Sequence, residues 1–408
     1  MVDVVVIGAG ISGAASAYEM ARQGLDVVLV DRFGPAAMAS GWTLAGVRQS
    51  GRHPAELPLA KAAVEIWAGL AEELDGETRY RRGGNLRLAR TPEEVPIIEK
   101  LVMEQREAGL DLRLLPTNAD VRAVAPSLSE RVLLASYCPS DGSADPIATV
   151  QSFVQAAQRH GAQCRFGERA LRIETTNGRV CAVVTDKGRI ATAKVVIAAG
   201  IYGNELLRPF GQNVPLQVPM VTVLRSAPID AVLEQVIGVA NADCAGRQEF
   251  NGRFRVTGGL EDWHSQLGET PDKRPSVRPT TAGVAEVVRL FGEVVPAFAR
   301  AQIEEVWAGL IDLTPDALPV LDDTLEPEGL VVAMGFSGHG FCLGPLTGRI
   351  VTDLVQGRKP RVPIEPFGIR RFSALHNTPE RRPCTADGEL LAQRYFPAAR
   401  GHPPSELC

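Results

Sequence analysis

Gly8-Ala9-Gly10-Ile11-Ser12-Gly13 stands directly after the apolar run Val4-Val5-Val6-Ile7, and an acidic residue, Asp31, lies eighteen residues beyond its last glycine. A glycine triplet at this spacing is weak alone. Between a buried strand and a helix it constrains the chain to a βαβ unit that cradles a dinucleotide. Gly8 permits the tight turn, Gly10 lets backbone approach a pyrophosphate, and Gly13 lets the helix pack closely. The helix N-terminus adds N–H donors and a favourable dipole. Asp31 is placed to accept hydrogen bonds from a ribose. Residues 2–7 read as a strand, 11–23 as a helix whose Ala14, Ala15, Ala17 and Ala21 suit a sheet surface, and 26–31 as the second strand.

The 408-residue chain has room for two or three folding units. With 43 Lys and Arg against 48 Asp and Glu, the net charge of -5 gives no electrostatic footprint for nucleic acid or an anionic membrane. Its seven cysteines are scattered, with no CxxC for zinc or an iron–sulfur cluster, so no metal site is expected. Met1-Val2-Asp3 lacks a basic leader and no window of about 20 residues is continuously apolar. These features point to a cytoplasmic protein without a membrane span.

Buried runs recur at 180–184, 194–198 and 329–333, and are read as further strands of one parallel sheet assembled from distant segments. An apolar helical pattern follows over 343–356. Residues 216–226 and 247–259 alternate as antiparallel strands of a second, inserted domain, and helices are expected at 55–74, 92–108, 146–160 and 280–292. The expected fold is therefore mixed α/β and α+β: a Rossmann-like nucleotide domain of 1–80, 141–215 and 309–365, and a mainly antiparallel substrate domain of 81–140 and 216–308. A tail, 366–408, broken by Pro379, Pro383, Pro397, Pro403 and Pro404, is expected to be extended or partly disordered.

The first unit does not choose between NAD and FAD, but later segments do. Ala36 to Gly41 is a run of small residues able to lie under a flat ring, and Gly335-Phe336-Ser337-Gly338-His339-Gly340-Phe341 would let backbone touch a ligand. With Asp141-Gly142-Ser143-Ala144-Asp145-Pro146, Ile197-Ala198-Ala199-Gly200 and Thr314-Pro315-Asp316-Ala317-Leu318-Pro319, all in the same order, the chain resembles the D-amino-acid oxidase-like FAD-dependent oxidoreductases over residues 2–365. Ala45-Gly46-Val47-Arg48-Gln49-Ser50-Gly51-Arg52 followed by Glu56-Leu57-Pro58-Leu59-Ala60 looks most like β subunits of opine or hydroxyproline dehydrogenase complexes.

That resemblance implies FAD, with Gly8, Gly10, Ile11, Ser12 and Gly13 at the pyrophosphate and Asp31 and Arg32 at the adenosine. It further implies Ser40, Gly41, Ala45 and Gly46 near the flavin, Ala170, Ala199 and Gly200 along the cofactor, and Gly309, Gly335, Gly338, His339, Gly340 and Phe341 bordering the ring. The implied reaction is hydride transfer from the carbon next to an amine nitrogen to flavin N5, leaving an imine that is hydrolysed. Loss of the ammonium proton to solvent would leave no obligatory side-chain base. The implied substrate is a secondary or D-amino acid, such as an opine, hydroxyproline or sarcosine, and the implied partners are further subunits, including an iron–sulfur protein.

Two usual carboxylate anchors of the family are replaced, by Ile311 and Cys342. Arg48 is the substitute candidate, because guanidinium binds carboxylate in bidentate fashion, with a structural ion pair as the alternative. His339 is a candidate for hydrogen bonding flavin or substrate, or for turn geometry alone. Cys342 is read as a small filler rather than a flavin attachment, and Arg247, Arg253 and Arg255 as a solvated face. A freestanding oxidase and a non-catalytic flavin subunit remain the rival readings.

Overall fold

The computed structural model describes residues 1–376. At its centre is a six-stranded sheet in the order Val320–Asp322, Leu330–Met334, Val195–Ile197, Val4–Ile7, Val27–Asp31, Gln163–Phe166. All neighbours are parallel except the first pair. The apolar run that starts the chain is buried on both faces, as a central parallel strand must be. Val4 and Val6 face the helices Ile11–Arg22, Pro146–Arg159 and Gly340–Val355, whereas Val5 and Ile7 face the other way.

That second face is covered by a three-stranded antiparallel sheet, Ala170–Thr176, Arg179–Thr185 and Gly188–Ala191, through Ile173, Val183 and Ile190. The run at 180–184, expected in the parallel sheet, belongs here instead. Apolar burial does not distinguish a strand inside a sheet from one packed upon it, and Asn177-Gly178 at positive φ turns the chain back as a hairpin.

An eight-stranded sheet forms the second region, in the order Ile303–Leu310, Met220–Ser226, Phe254–Glu261, Cys244–Gln248, Val236–Val239, Asn85–Ala89, Leu134–Cys138, Arg113–Leu115. Only the pair Val236–Val239 and Asn85–Ala89 is parallel. Helix Thr281–Val294 covers it with Val287, Phe291 and Val294 against Leu224, Phe254 and Val256. The helices expected near 55–74, 92–108, 146–160 and 280–292 are found at Leu57–Glu73, Val95–Glu107, Pro146–Arg159 and Thr281–Val294.

Two helices matter most for the site. Gly344 and Gly348 of Gly340–Val355 meet Ile11 and Ala15 of Ile11–Arg22, and a Cβ on Gly344 would lie 2.2 Å from Ile11 Cγ1, on Gly348 2.7 Å from Ala15 backbone. This close approach brings the N-termini of both helices to one cleft. Helix Gly340–Val355 starts earlier than the 343 expected, and His339 is its N-cap.

The first residues of the expected tail are packed. Phe367, Ile369 and Phe372 are buried, Ile369 N–H donates to Asp322 Oδ2 at 2.7 Å, and Arg371 pairs with Asp316 at 2.7 Å. Apolar residues spaced at 367, 369 and 372 cover the sheet end despite weak periodicity. The prolines from Pro379 onward lie outside the described residues. Among the described residues Cys138, Cys164, Cys181, Cys244 and Cys342 are free thiols, and no helix is long and apolar enough to cross a membrane.

Candidate active site

A long cleft runs along the C-terminal ends of the parallel strands and ends against the eight-stranded sheet. Gly8, Gly10, Asp31 and Ala170 line one end, and Arg48, Leu260, Ile311 and His339 the other. Its position follows the rule for open parallel sheets, where ligands bind beyond the carboxyl ends of the strands.

At the first end the glycines act as their spacing suggests. Gly8 has φ +110°, and a Cβ there would lie 2.3 Å from Ala198 O; a Cβ on Gly13 would lie 1.9 Å from Gly8 O. Gly13 thus serves helix packing and does not line the cleft. Asp31 accepts from Ala9 N–H (2.7 Å), Phe33 N–H (2.7 Å) and Gly34 N–H (2.8 Å). A carboxylate has about four acceptor positions, so one is left for a hydroxyl. Ser40 Oγ accepts from Ile11 N–H at 2.9 Å, tying the small-residue stretch to the helix N-terminus. Arg32 stacks on Tyr202 with its guanidinium carbon 3.7 Å from the ring centroid and pairs with Glu205 at 3.2 Å. This pair forms a flat, polar-edged wall.

Ala199, Gly200, Gly309, Gly338, Gly340 and Phe341 also line the cleft. Gly41, Ala45, Gly46 and Gly335 do not, and each has a packing role behind it. A Cβ on Gly41 would meet Ala36 O at 2.1 Å and one on Gly335 Thr314 Cγ2 at 2.7 Å. Ala45 is buried at φ +60°, and Gly46 pairs with Ser143.

Three consecutive carbonyls on the cleft wall are held from the eight-stranded sheet. Trp307 Nε1 donates to Trp42 O (3.2 Å), Arg255 Nη1 to Thr43 O (3.0 Å), and Arg247 Nε to Leu44 O (2.6 Å). Arg247 and Arg255 are buried, sharing Glu249 at 3.7 and 2.7 Å. Burial, and then the neighbouring Arg255, push the Arg247 guanidinium down to about 10. The solvated face expected for these arginines holds only for Arg253, which pairs with exposed Glu304. Strand alternation places residues on a face but does not say what covers that face.

Arg48 lies at the far end of the cleft and donates from Nη1 to Ser50 O at 2.6 Å. Its loop is pinned by Asp141, which accepts from Gln49 N–H (2.8 Å), Ser50 N–H (3.2 Å) and Ser50 Oγ (2.5 Å). The Asp141–Pro146 motif is thus a brace for Arg48, and Asp145 caps the helix that follows through Ile147 N–H and Ala148 N–H.

His339 Nδ1 lies 2.9 Å from Glu56 Oε2, and Arg52 Nη1 lies 3.9 Å from Glu56 Oε1. Glu56 and Arg52 are buried. Burial would raise the Glu56 carboxyl, but His339 and Arg52 outweigh it and hold it at about 2. Burial, aided by Arg52, pushes the His339 imidazole below its usual range. In the sequence Arg52 and Glu56 stood out only as family markers; their i, i+4 spacing is visible there, but no local signal joins them to a histidine 283 residues away. Asp312 was also missed. It lines the cleft, and its Oδ2 accepts from Gly335 N–H at 2.7 Å, fastening the turn that carries His339; burial raises it to about 6.

Cys342 is buried and does not line the cleft; its thiol donates to Arg48 O at 3.4 Å, and burial raises it to about 11, as suits a filler. His264 is exposed in a loop.

The model of the family described as DAO, FAD dependent oxidoreductase, matches residues 3–354. The chain belongs to this family. The DAO-family chain is 26% identical to a D-amino acid dehydrogenase of Cereibacter sphaeroides, covering 93% of this chain and 96% of that one. It is 28% identical to a glycine oxidase of Geobacillus kaustophilus over 90% and 97% of the two chains. The solved L-proline dehydrogenase of P. horikoshii superposes with a TM-score of 0.83 at 26% identity, over 91% of this chain and 98% of that one. The protein is an FAD-dependent oxidoreductase, and the cleft suits its cofactor: two helix N-termini, a carboxylate with an acceptor position to spare, and glycine-lined walls.

Proposed function

We propose that this flavoenzyme oxidises an amino acid, either a D-amino acid or one with a secondary amine such as an opine, hydroxyproline or sarcosine, at the carbon next to nitrogen. The observation that carries the reading is one cleft end holding a guanidinium, Arg48, and an imidazole, His339, beside the apolar Ile311 and Leu260. A carboxylate, an amine and an apolar chain are the groups such walls recognise. The names of the relatives, D-amino acid dehydrogenase, glycine oxidase and L-proline dehydrogenase, support the same class.

FAD, when bound, supplies the acceptor for the hydride. Gly8, Gly10, Ile11 and Ser12 then hold the pyrophosphate, Asp31 and Arg32 the adenosine side, and Ser40, Gly309, Gly338, Gly340 and Phe341 border the ring. Arg48 replaces the anchors lost at Ile311 and Cys342 and orients the carboxylate, while Ile311 and Leu260 keep water from the reacting carbon. The positive end of helix Gly340–Val355 favours negative charge developing at the site.

The finer reading is a catalytic β-type subunit of a cytoplasmic hetero-oligomeric dehydrogenase. Its motif order from Arg48 to Pro58 supports this, and the scattered cysteines mean that an iron–sulfur relay would come from a partner. The glycine oxidase likeness favours a second reading, a freestanding oxidase that uses oxygen.

An anaerobic screen of the yellow holoprotein against sarcosine, D-amino acids, both hydroxyproline epimers, octopine and nopaline tests the substrate class through bleaching of the flavin band. Bleaching by one class assigns it; a flavin reduced by dithionite but by none of these amines refutes catalysis of this kind in the chain.

A further inference from the structure

We propose that His339, held by Glu56, accepts the proton of the substrate amine before hydride leaves the neighbouring carbon. The proposal rests on the amine-oxidising reading and adds a proton acceptor to it.

His339 has two ring nitrogens with separate tasks. Nδ1 faces Glu56 Oε2 at 2.9 Å, and Glu56 is wholly buried with Arg52 beside its other oxygen. A buried carboxylate that keeps its charge can only accept, so Nδ1 carries the hydrogen and donates it. The imidazole lone pair is thereby assigned to Nε2, the nitrogen not engaged by Glu56, on a residue that lines the cleft. Ring position is fixed as well. His339 is the N-cap of helix Gly340–Val355 and follows the positive-φ pair Ser337 and Gly338 in a turn fastened by Asp312. Arg52 Nη1 and Glu56 Oε1 find no hydrogen-bond partner although buried. That arrangement is costly as a fold device and is characteristic of a polar network kept for function.

In the step, the N–H bond of the substrate ammonium breaks and an Nε2–H bond forms, so the positive charge moves from substrate to imidazole. The freed nitrogen lone pair then drives hydride, with both electrons, from the adjacent carbon to the acceptor that the family's FAD supplies, giving an iminium. The imidazolium returns its proton to solvent. Charged groups around the ring set its readiness: Arg52 and Arg48 disfavour the imidazolium, Glu56 favours it, and Cys342 in the next helical turn stays a neutral thiol.

Two measurements on the holoenzyme decide the matter. Nitrogen-15 spectra of the histidines, with the His339 signals identified by their loss in His339→Asn, should show the neutral Nδ1–H tautomer near neutral pH. The rate of anaerobic flavin bleaching at low substrate should show an acid limb in the wild type. His339→Asn should lower the rate near neutral pH by about 10²-fold and replace the limb with one at higher pH, set by the substrate ammonium itself. Glu56→Gln should keep the limb but move it to lower pH, because the anion that favours imidazolium is gone. FAD content and spectrum report that each variant is folded. An Nε2–H tautomer, or an unchanged limb and neutral-pH rate in His339→Asn, overturns the proposal alone. A wild-type flavin that no amine bleaches refutes the amine-oxidising reading and this step with it.

Discussion

Replacing Arg255 with Met tests whether the eight-stranded sheet holds the cleft wall through buried charge. Arg255 donates to Thr43 O at 3.0 Å and to Glu249 at 2.7 Å, and its guanidinium lies 5.1 Å from the Trp307 ring centroid. Methionine fills much of the same volume, so the loss is polar. Glu249 would be left with Arg247 at 3.7 Å as its neighbouring cation, and breaking a buried pair by removing one partner costs about 3–5 kcal/mol. Trp307→Phe removes a single 3.2 Å bond to Trp42 O and should cost about 1 kcal/mol from that bond. Urea unfolding of both holoproteins, followed by far-ultraviolet circular dichroism, should separate them by at least about 2 kcal/mol. The Arg255→Met protein should also release FAD more readily, because Thr43 lines the cofactor cleft. Equal and small losses in the two variants would refute the reasoning and return Arg255 to the solvated role its strand position suggests.

Acidification should expose Glu56. Its carboxyl is held at about 2 when folded against 4.5 when free, so its contribution is fully present above pH 4.5 and lost as pH falls toward 2. The whole effect is about 3 kcal/mol, and urea midpoints of Glu56→Gln should fall less steeply with pH in that window than those of wild type; parallel curves would count against an ionised Glu56. Gly13→Ala places a Cβ 1.9 Å from Gly8 O and should yield protein without FAD, whereas Gly24→Ala, with nothing within 4 Å, should stay yellow and lose only about 1 kcal/mol for its positive φ. The ratio of flavin to protein absorbance distinguishes them. Arg48→Ala should raise the KM of a carboxylate substrate at least about tenfold, roughly 1.4 kcal/mol of binding, and an unchanged KM would remove Arg48 as its anchor.

Where local rules operate, the sequence was sufficient. A β-branched run, three glycines, a helix rich in small residues and an acid are close in the chain, so their geometry is set by turn sterics and helix dipole, and the resulting βαβ unit is where it was expected. Helices with clear apolar periodicity, such as Leu57–Glu73 and Thr281–Val294, were legible for the same reason. The run at 180–184 was not, because burial on a sheet and burial in a sheet select the same residues.

Tertiary structure decided what the polar groups do. Arg247 and Arg255 read as surface until the 42–44 loop is seen lying across them, and Asp141 reads as a motif letter until Gln49 and Ser50 bring their amides to it. Glu56 reaches His339 across 283 residues. Hydrophobic patterns survive in one dimension because their period is local; the partner of a buried charge is chosen by the fold, from whatever distant segment the packing delivers.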